Sequence, residues 1–300
     1  MKKIMVIFLA IVFTSSCETV GTGITAASNA GVISEQAADA LGRMNTAVTD
    51  ATKDITPSEE YYIGRAVGAN ILSKYKLYTE KPELTAYVNE ILNVLVINSP
   101  RPIIYNGYHA AILDTDEINA FATSGGHIFI TRGLLNATDS EDALAAVLAH
   151  ELAHILLQHS IKSIKNSRFT GAIQQVAGIA AEAAGLDELT KIFDESIREA
   201  VNSVLDKGYS REQEYEADAT AISLLAAAGY TPSSIVEMLE KLKTQGSGTT
   251  AFPSVGSVLQ STHPSADDRL VEVRKKLVPY QNVTDNSAIR KIRFATVLKK

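Results

Sequence analysis

Glu141 to Gln158, EDALAAVLAHELAHILLQ, is the stretch whose reading decides the fold. Ala and Leu, the strongest helix formers, dominate it, and Thr138-Asp139-Ser140-Glu141 at its head supplies a capping signal. Inside it lies His150-Glu151-Leu152-Ala153-His154, an H-E-x-x-H run. Positions i and i+4 share one face of an α-helix, so the two imidazoles converge on one point. Two neutral ring nitrogens at that spacing make half of a tetrahedral zinc site, and Glu151 stands where it can deprotonate a water molecule held there.

A catalytic zinc takes three protein ligands and leaves the fourth position open. Gly at 157 with His at 160 would complete the site within the same segment, but those positions hold Leu157 and Ser160. His159 is off the 150/154 face of a continuous helix and is expected on the surface. The stretch Ser210 to Asp218, SREQEYEAD, offers glutamates at 212, 214 and 216. Glu214 and Asp218 are four apart and share a helix face, so one can bind metal while the other accepts the N–H of a ligating imidazole. Glu214 is favoured as the ligand and Asp218 as the orienting partner. Glu212 and Glu216 are expected on a solvated acidic face.

The chain has 300 residues, 46% of them apolar, enough for one catalytic domain of about 200 residues plus appendages. Net charge is −6, Lys and Arg are scattered, and there is no Trp. A basic stripe and a base-stacking platform are both absent, which argues against nucleic acid as a partner. Lys2 and Lys3, an apolar run from Ile4 to Phe13 and Thr14-Ser15-Ser16 describe a signal peptide over residues 1–16. Cys17 is the only cysteine, so no intrachain disulfide can form. A lone cysteine after small residues resembles the lipobox of bacterial lipoproteins. That resemblance implies cleavage before Cys17, lipidation there and a membrane anchor facing the periplasm, with Glu18 at the next position favouring the outer membrane.

Residues 17–56 read as the lipidated cysteine and a tether, with a helix near Ser34 to Val48. Thr56-Pro57-Ser58-Glu59 opens a capped helix toward Lys74, and Glu83 to Val96 is a second. Strand territory follows: Tyr108 to Leu113, Asn119 to Thr123, and His127 to Thr131 after the turn Ser124-Gly125-Gly126. Residues 162–207 form an insert, apolar and Ala/Gly-rich at first and amphipathic later, read as a helical lid or plug over the cleft. Helices are expected over Ser210 to Ala228, from Thr231 to Lys243 and over Ala266 to Leu277. The fold class is therefore α+β, mainly α-helical with a small sheet. Residues 57–280 form the domain and 281–300 a C-terminal tail.

Four blocks carry a resemblance. They are Asn119-Ala120-Phe121 with Gly125-Gly126-His127-Ile128 and Gly133-Leu134; His150-Glu151-x-x-His154; Ser210-Arg211-x-x-Glu214-Tyr215-x-Ala217-Asp218; and Thr262-His263-Pro264-Ser265 with Arg269. Together they resemble the gluzincin peptidases of the CAAX prenyl endopeptidase family, with its HtpX-like, OMA-type and BepA-type members. The chain looks like a small lipoprotein member without internal membrane spans or tetratricopeptide repeats. The resemblance implies a zincin-like domain holding one zinc ion, bound by His150, His154 and Glu214, with Glu151 as general base and Asp218 beside the ligands. It implies peptide hydrolysis, with His263 stabilising the oxyanion or serving as a resting-state ligand; Arg269 can also reach the site. It implies that Gly126 to Thr131 forms an exposed sheet edge lining the cleft, where Gly126, His127 and Ile128 meet an extended polypeptide and Asn119 bonds its backbone.

Two functions compete at this point. One is a zinc metallo-endopeptidase of the cell envelope acting on misfolded or unfolded proteins. The other is a non-proteolytic, chaperone-like binding module with a structural zinc. A structural zinc has no need of a base beside an open position, which favours the first.

Overall fold

The computed structural model describes residues 17–52, 54–166, 208–246, 266–281 and 287–298. The expected signal peptide over 1–16, most of the 162–207 insert, and His263 lie outside the described residues. The chain divides into two compact units, one of residues 1–54 with 162–200 and one of residues 55–161 with 201–300.

In the first unit, α1 (Cys17–Asn29) and α2 (Glu35–Thr52) pack on each other, and the chain turns between them with Gly31 at φ 69°. Val20 and Ile24, one helical turn apart, are both buried. The stretch expected as a tether is thus almost wholly helical, and the second helix exceeds the Ser34 to Val48 estimate. Lys165 reaches Asp54 at 2.7 Å within the same unit.

The second unit starts with α3 (Pro57–Lys74), whose capping box joins Thr56 and Glu59 and whose first position is Pro57. Its buried side chains Val67 and Ile71 pack with Leu113 and Phe129. The helix lies so close to the strand turn that a Cβ on Gly64 would sit 1.4 Å from the Ser124 carbonyl oxygen. Next come α4 (Pro82–Ile97), then β1 (His109–Leu113), β2 (Ala120–Thr123) and β3 (His127–Thr131). The sheet order is β1-β3-β2, parallel between β1 and β3 and antiparallel between β2 and β3. His109 stands opposite His127, and Ala120 opposite Ile130. This corrects the expectation for Gly126 to Thr131. β3 is the middle strand, bonded on both sides, and the outer strands among the described residues are β1 and β2.

After the short α5 (Arg132–Ala137) comes α6 (Glu141–Leu156), buried at every position from Glu141 to Ile155. A helix that is mostly apolar all round belongs in the centre of a core. It is covered by α4, by α7 (Arg211–Ala227), by α8 (Ser234–Gly246) and by α10 (Ser287–Leu298), while α9 (Ala266–Lys276) packs on α7 and α8. The last helix revises the expected tail. Phe294 is only 2% exposed and belongs to the main core. Arg290 of α10 forms a two-pronged pair with Asp142, at 2.8 Å on each prong. Arg293 pairs in the same way with Glu141, which also accepts from the hydroxyls of Tyr87 at 2.6 Å and Tyr230 at 3.1 Å. The first turn of the central helix is thereby bolted in place, its two acids also lying favourably at the positive end of the helix dipole.

Candidate metal centre

His150 and His154 come from successive turns of α6, each no more than 3% exposed, with their Nε2 atoms 3.1 Å apart. Glu214 enters from the first turn of α7, a helix started by the Ser210–Gln213 capping box. Its carboxylate is fully buried, with Oε2 3.4 Å from His150 Nε2 and Oε1 3.6 Å from His154 Nε2. Donors about 2.0–2.1 Å from a tetrahedral zinc lie about 3.3 Å from one another. The three observed separations fall around that edge length, so the residues present fit the ion, and among the described residues this is the one group of acids and histidines so disposed.

Asp218 sits one turn beyond Glu214 and accepts from His150 Nδ1–H at 3.0 Å, so Nε2 is the His150 ring nitrogen turned toward Glu214. Arg269 of α9, 3% exposed, forks onto both Asp218 oxygens at 2.7 and 2.8 Å and reaches Glu214 at 2.8 Å. It is a buried cation pinning two acids of the site. Burial opposes ionisation of Asp218, but Arg269 and His150 more than offset it, and the carboxyl is held below its ordinary value. Burial and the Arg269 charge likewise push the His150 imidazole down, yet its bonds to Asp218 and Glu214 outweigh them and hold it up at about 9. The pocket therefore attracts positive charge strongly. Glu151, Glu214 and Asp218 are near-buried carboxylates in a field offset by one guanidinium, a balance that suits a dication.

Glu151 is 3% exposed and follows the first ligand on the same helix. Tyr209, just ahead of the cap of α7, stacks on the His154 ring with centroids 3.9 Å apart and planes 17° from parallel. Burial, then the charges of Glu151 and Glu214, push its phenol pKa up, so the hydroxyl keeps its proton at any physiological pH. Tyr209 carries little signal in sequence, being marked there only as an aromatic residue directly before a helix cap.

His159 overturns its expected surface position. It is fully buried, its Nδ1 lies 2.9 Å from Nδ1 of His154, and its Nε2 lies 3.2 Å from Glu216. Glu216, expected on a solvated face, has a side chain 58% exposed that turns one oxygen to His159. The helix does not continue unbroken through this point. Gln158 adopts φ 54°, in the left-handed region, and that step swings His159 back against His154.

The residues expected to meet substrate are placed differently. Ile128 is fully buried in the middle strand, and His127 is half-buried with its ring 5.5 Å from that of Tyr61. Gly126 has φ 96°, and a Cβ there would lie 2.4 Å from the Gly107 carbonyl oxygen. Asn119 is fully buried; its Oδ1 accepts from Ala120 N at 2.9 Å and its backbone N–H donates to Thr131 at 3.1 Å, so it fixes the start of β2.

Residues 81–277 match the family described as peptidase family M48. The chain is 26% identical over 258 residues to the beta-barrel assembly-enhancing protease of Escherichia coli K12, covering 84% of this chain and 50% of that one. It is 27% identical over 228 residues to the mitochondrial metalloendopeptidase OMA1 of Schizosaccharomyces pombe, covering 75% and 63%. It is 26% identical over 207 residues to the metalloprotease LoiP of Escherichia coli K12, covering 68% and 75%. The chain spans about half the length of the beta-barrel assembly-enhancing proteases it matches. With the match running from the start of α4 to the end of α9 and enclosing the buried His150, His154 and Glu214, the chain belongs to peptidase family M48, a family of zinc-dependent metallopeptidases.

Proposed function

We propose that the protein is a zinc metallo-endopeptidase of the bacterial cell envelope that hydrolyses misfolded or unfolded proteins. The observation carrying this reading is the buried triad His150, His154 and Glu214, with Glu151 on the same turn of α6. A zinc ion held there lowers the pKa of a water molecule and polarises a peptide carbonyl. Glu151 takes the proton of the attacking water and passes it to the departing amine nitrogen. Asp218 holds the His150 ring by its Nδ1–H, and Arg269 holds Asp218 and Glu214. His263 is assigned to the oxyanion or to a resting-state ligand position. Asn119, Gly126, His127 and Ile128 are assigned to binding an extended polypeptide; the burial of Asn119 and Ile128 leaves the backbone of this stretch as the part that would meet it.

The envelope placement is supported by relatives named beta-barrel assembly-enhancing protease and LoiP. Lipidation at Cys17, a periplasmic outlook and the outer membrane complete the proposal, with unfolded or misassembled envelope polypeptides as substrates. Labelled palmitate should enter the wild-type protein and not Cys17→Ala; label in the variant ends the anchor. Purified protein should degrade casein, and a chelator or Glu151→Gln should abolish this. Casein cleavage unchanged in Glu151→Gln refutes the peptidase assignment. A Glu151→Gln strain that behaves as wild type while a deletion does not would instead favour a chaperone-like binding module.

A further inference from the structure

The centre contains a hydrogen-bonded chain that the mechanism leaves unused, running from the buried His154 and His159 to the exposed side chain of Glu216. Nε2 of His154 faces His150 and Glu214, so the lone pair at that atom must be available for a metal. A neutral imidazole then carries its proton on Nδ1. His154 Nδ1 lies 2.9 Å from His159 Nδ1, which must accept, and the proton of a neutral His159 then sits on Nε2, aimed at Glu216 Oε2 at 3.2 Å. With both rings neutral, this assignment gives each of these contacts one donor and one acceptor and still leaves Nε2 of His154 bare. The opposite tautomers would place a hydrogen on the atom that faces Glu214.

Tyr209 does not settle this choice. Stacking at 3.9 Å fixes the plane of the His154 ring. It is indifferent to a half-turn that exchanges nitrogen and carbon at the ring edge. Only a directional partner at Nδ1 distinguishes the two orientations.

The backbone is shaped for the contact. On an unbroken helix, position 159 lies roughly 140° round from 154 and the rings could not meet. Gln158 takes the left-handed conformation at φ 54°, a strained one for a residue with a Cβ. Its side chain donates to Glu60 at 2.9 Å, and Gln213 donates to the His159 carbonyl at 3.4 Å, holding the displaced turn. The chain resumes a helical course at residue 159.

We propose that His159 is a positioning residue that locks His154 in the Nδ1–H tautomer, with Glu216 locking His159 in turn. His150 and His154 would then each carry an outer partner, Asp218 for one and a histidine–carboxylate pair for the other. This rests on the metal site of the proposed function and not on its substrate.

The test is zinc affinity, measured by competition with a chromophoric chelator, together with ring-nitrogen NMR of the zinc-loaded wild type labelled with nitrogen-15 histidine. His159→Phe keeps the ring volume and removes the acceptor; it should weaken zinc binding about 10- to 100-fold, the usual effect of losing an outer-shell partner. His159→Asn places an acceptor oxygen near the former Nδ1 and should stay within about threefold of wild type. The spectrum should show His159 protonated on Nε2 and bare on Nδ1. Equal affinity for zinc in wild type and His159→Phe, equal loss in Phe and Asn variants, or a proton on His159 Nδ1 each overturns the proposal while leaving the metal site standing. A wild type that binds no zinc overturns both.

Discussion

Arg269 is where removing one side chain tests the electrostatics of the whole centre. Its guanidinium is 3% exposed and makes three contacts of 2.7 to 2.8 Å with Asp218 and Glu214, which are themselves no more than 2% exposed. Arg269→Met removes the charge at similar volume and leaves those carboxylates, with Glu151 nearby, in a low-dielectric pocket without their cation. Breaking a buried pair from one side costs about 3–5 kcal/mol. For a domain of this size each kcal/mol moves the melting midpoint by roughly 2–4 °C, so the metal-free variant should melt about 10 °C lower. Saturating zinc should recover part of the gap, because a dication beside Glu214 restores positive charge where the guanidinium was. Arg269→Lys should fall between, supplying the charge without the fork that spans two acids. The assay is calorimetric unfolding in chelator and in excess zinc. A loss under about 1 kcal/mol in chelator, or a gap that zinc does not narrow, would refute the charge-compensation argument.

Other outcomes follow from the same geometry. Phe294→Ala should destabilise the domain by about 3–5 kcal/mol in urea titration, because the ring is a fully enclosed member of the main core; a near-neutral result would return α10 to the status of a tail. Gly64→Ala should lower the melting midpoint sharply, since its Cβ would collide with the Ser124 carbonyl 1.4 Å away and backbone cannot yield as a side chain can. Burial pushes the Asp142 carboxyl up, but Arg290 and the Thr231 amide outweigh it and hold the folded pKa below the ordinary 3.8. Its contribution is then fully present above pH 3.8 and lost as pH falls through the lower folded value. The stability difference between wild type and Asp142→Asn should therefore be large at pH 7 and shrink in strong acid; a difference independent of pH would contradict the ion pair.

How much could be read in advance depended on whether one helix carried the information. His150, Glu151 and His154 are related by the pitch of a single helix, and Glu214 and Asp218 by that of another, so their shared faces follow from sequence spacing alone. That two such helices meet at one point was supplied by resemblance, because no spacing within either predicts their crossing. The position of His159 is hidden for a local reason: spacing alone implies an unbroken helix through Gln158, whose backbone is left-handed and whose side chain bonds Glu60, a residue about a hundred positions away. The middle position of β3 was hidden because alternation reveals which face of a strand is buried and says nothing of how many neighbours bond its edges. Residues 281–300 look like a tail in sequence because, among their described residues, Phe294 is the one buried hydrophobic side chain and their arginines find buried acids on a helix far back in the chain.

The sequence by itself determined the chemistry available: two histidines and a base on one helical face, two acids on another, and a mainly helical chain with short strands. These follow from backbone periodicity and side-chain type, which act over a few residues. The tertiary structure alone decided that Arg269 is a buried counter-charge, that His159 backs a ligand, that β3 is flanked on both sides and that the final helix closes the core. Each depends on groups brought within hydrogen-bonding or packing distance from remote parts of the chain, and at that range only the folded backbone specifies which partner is present.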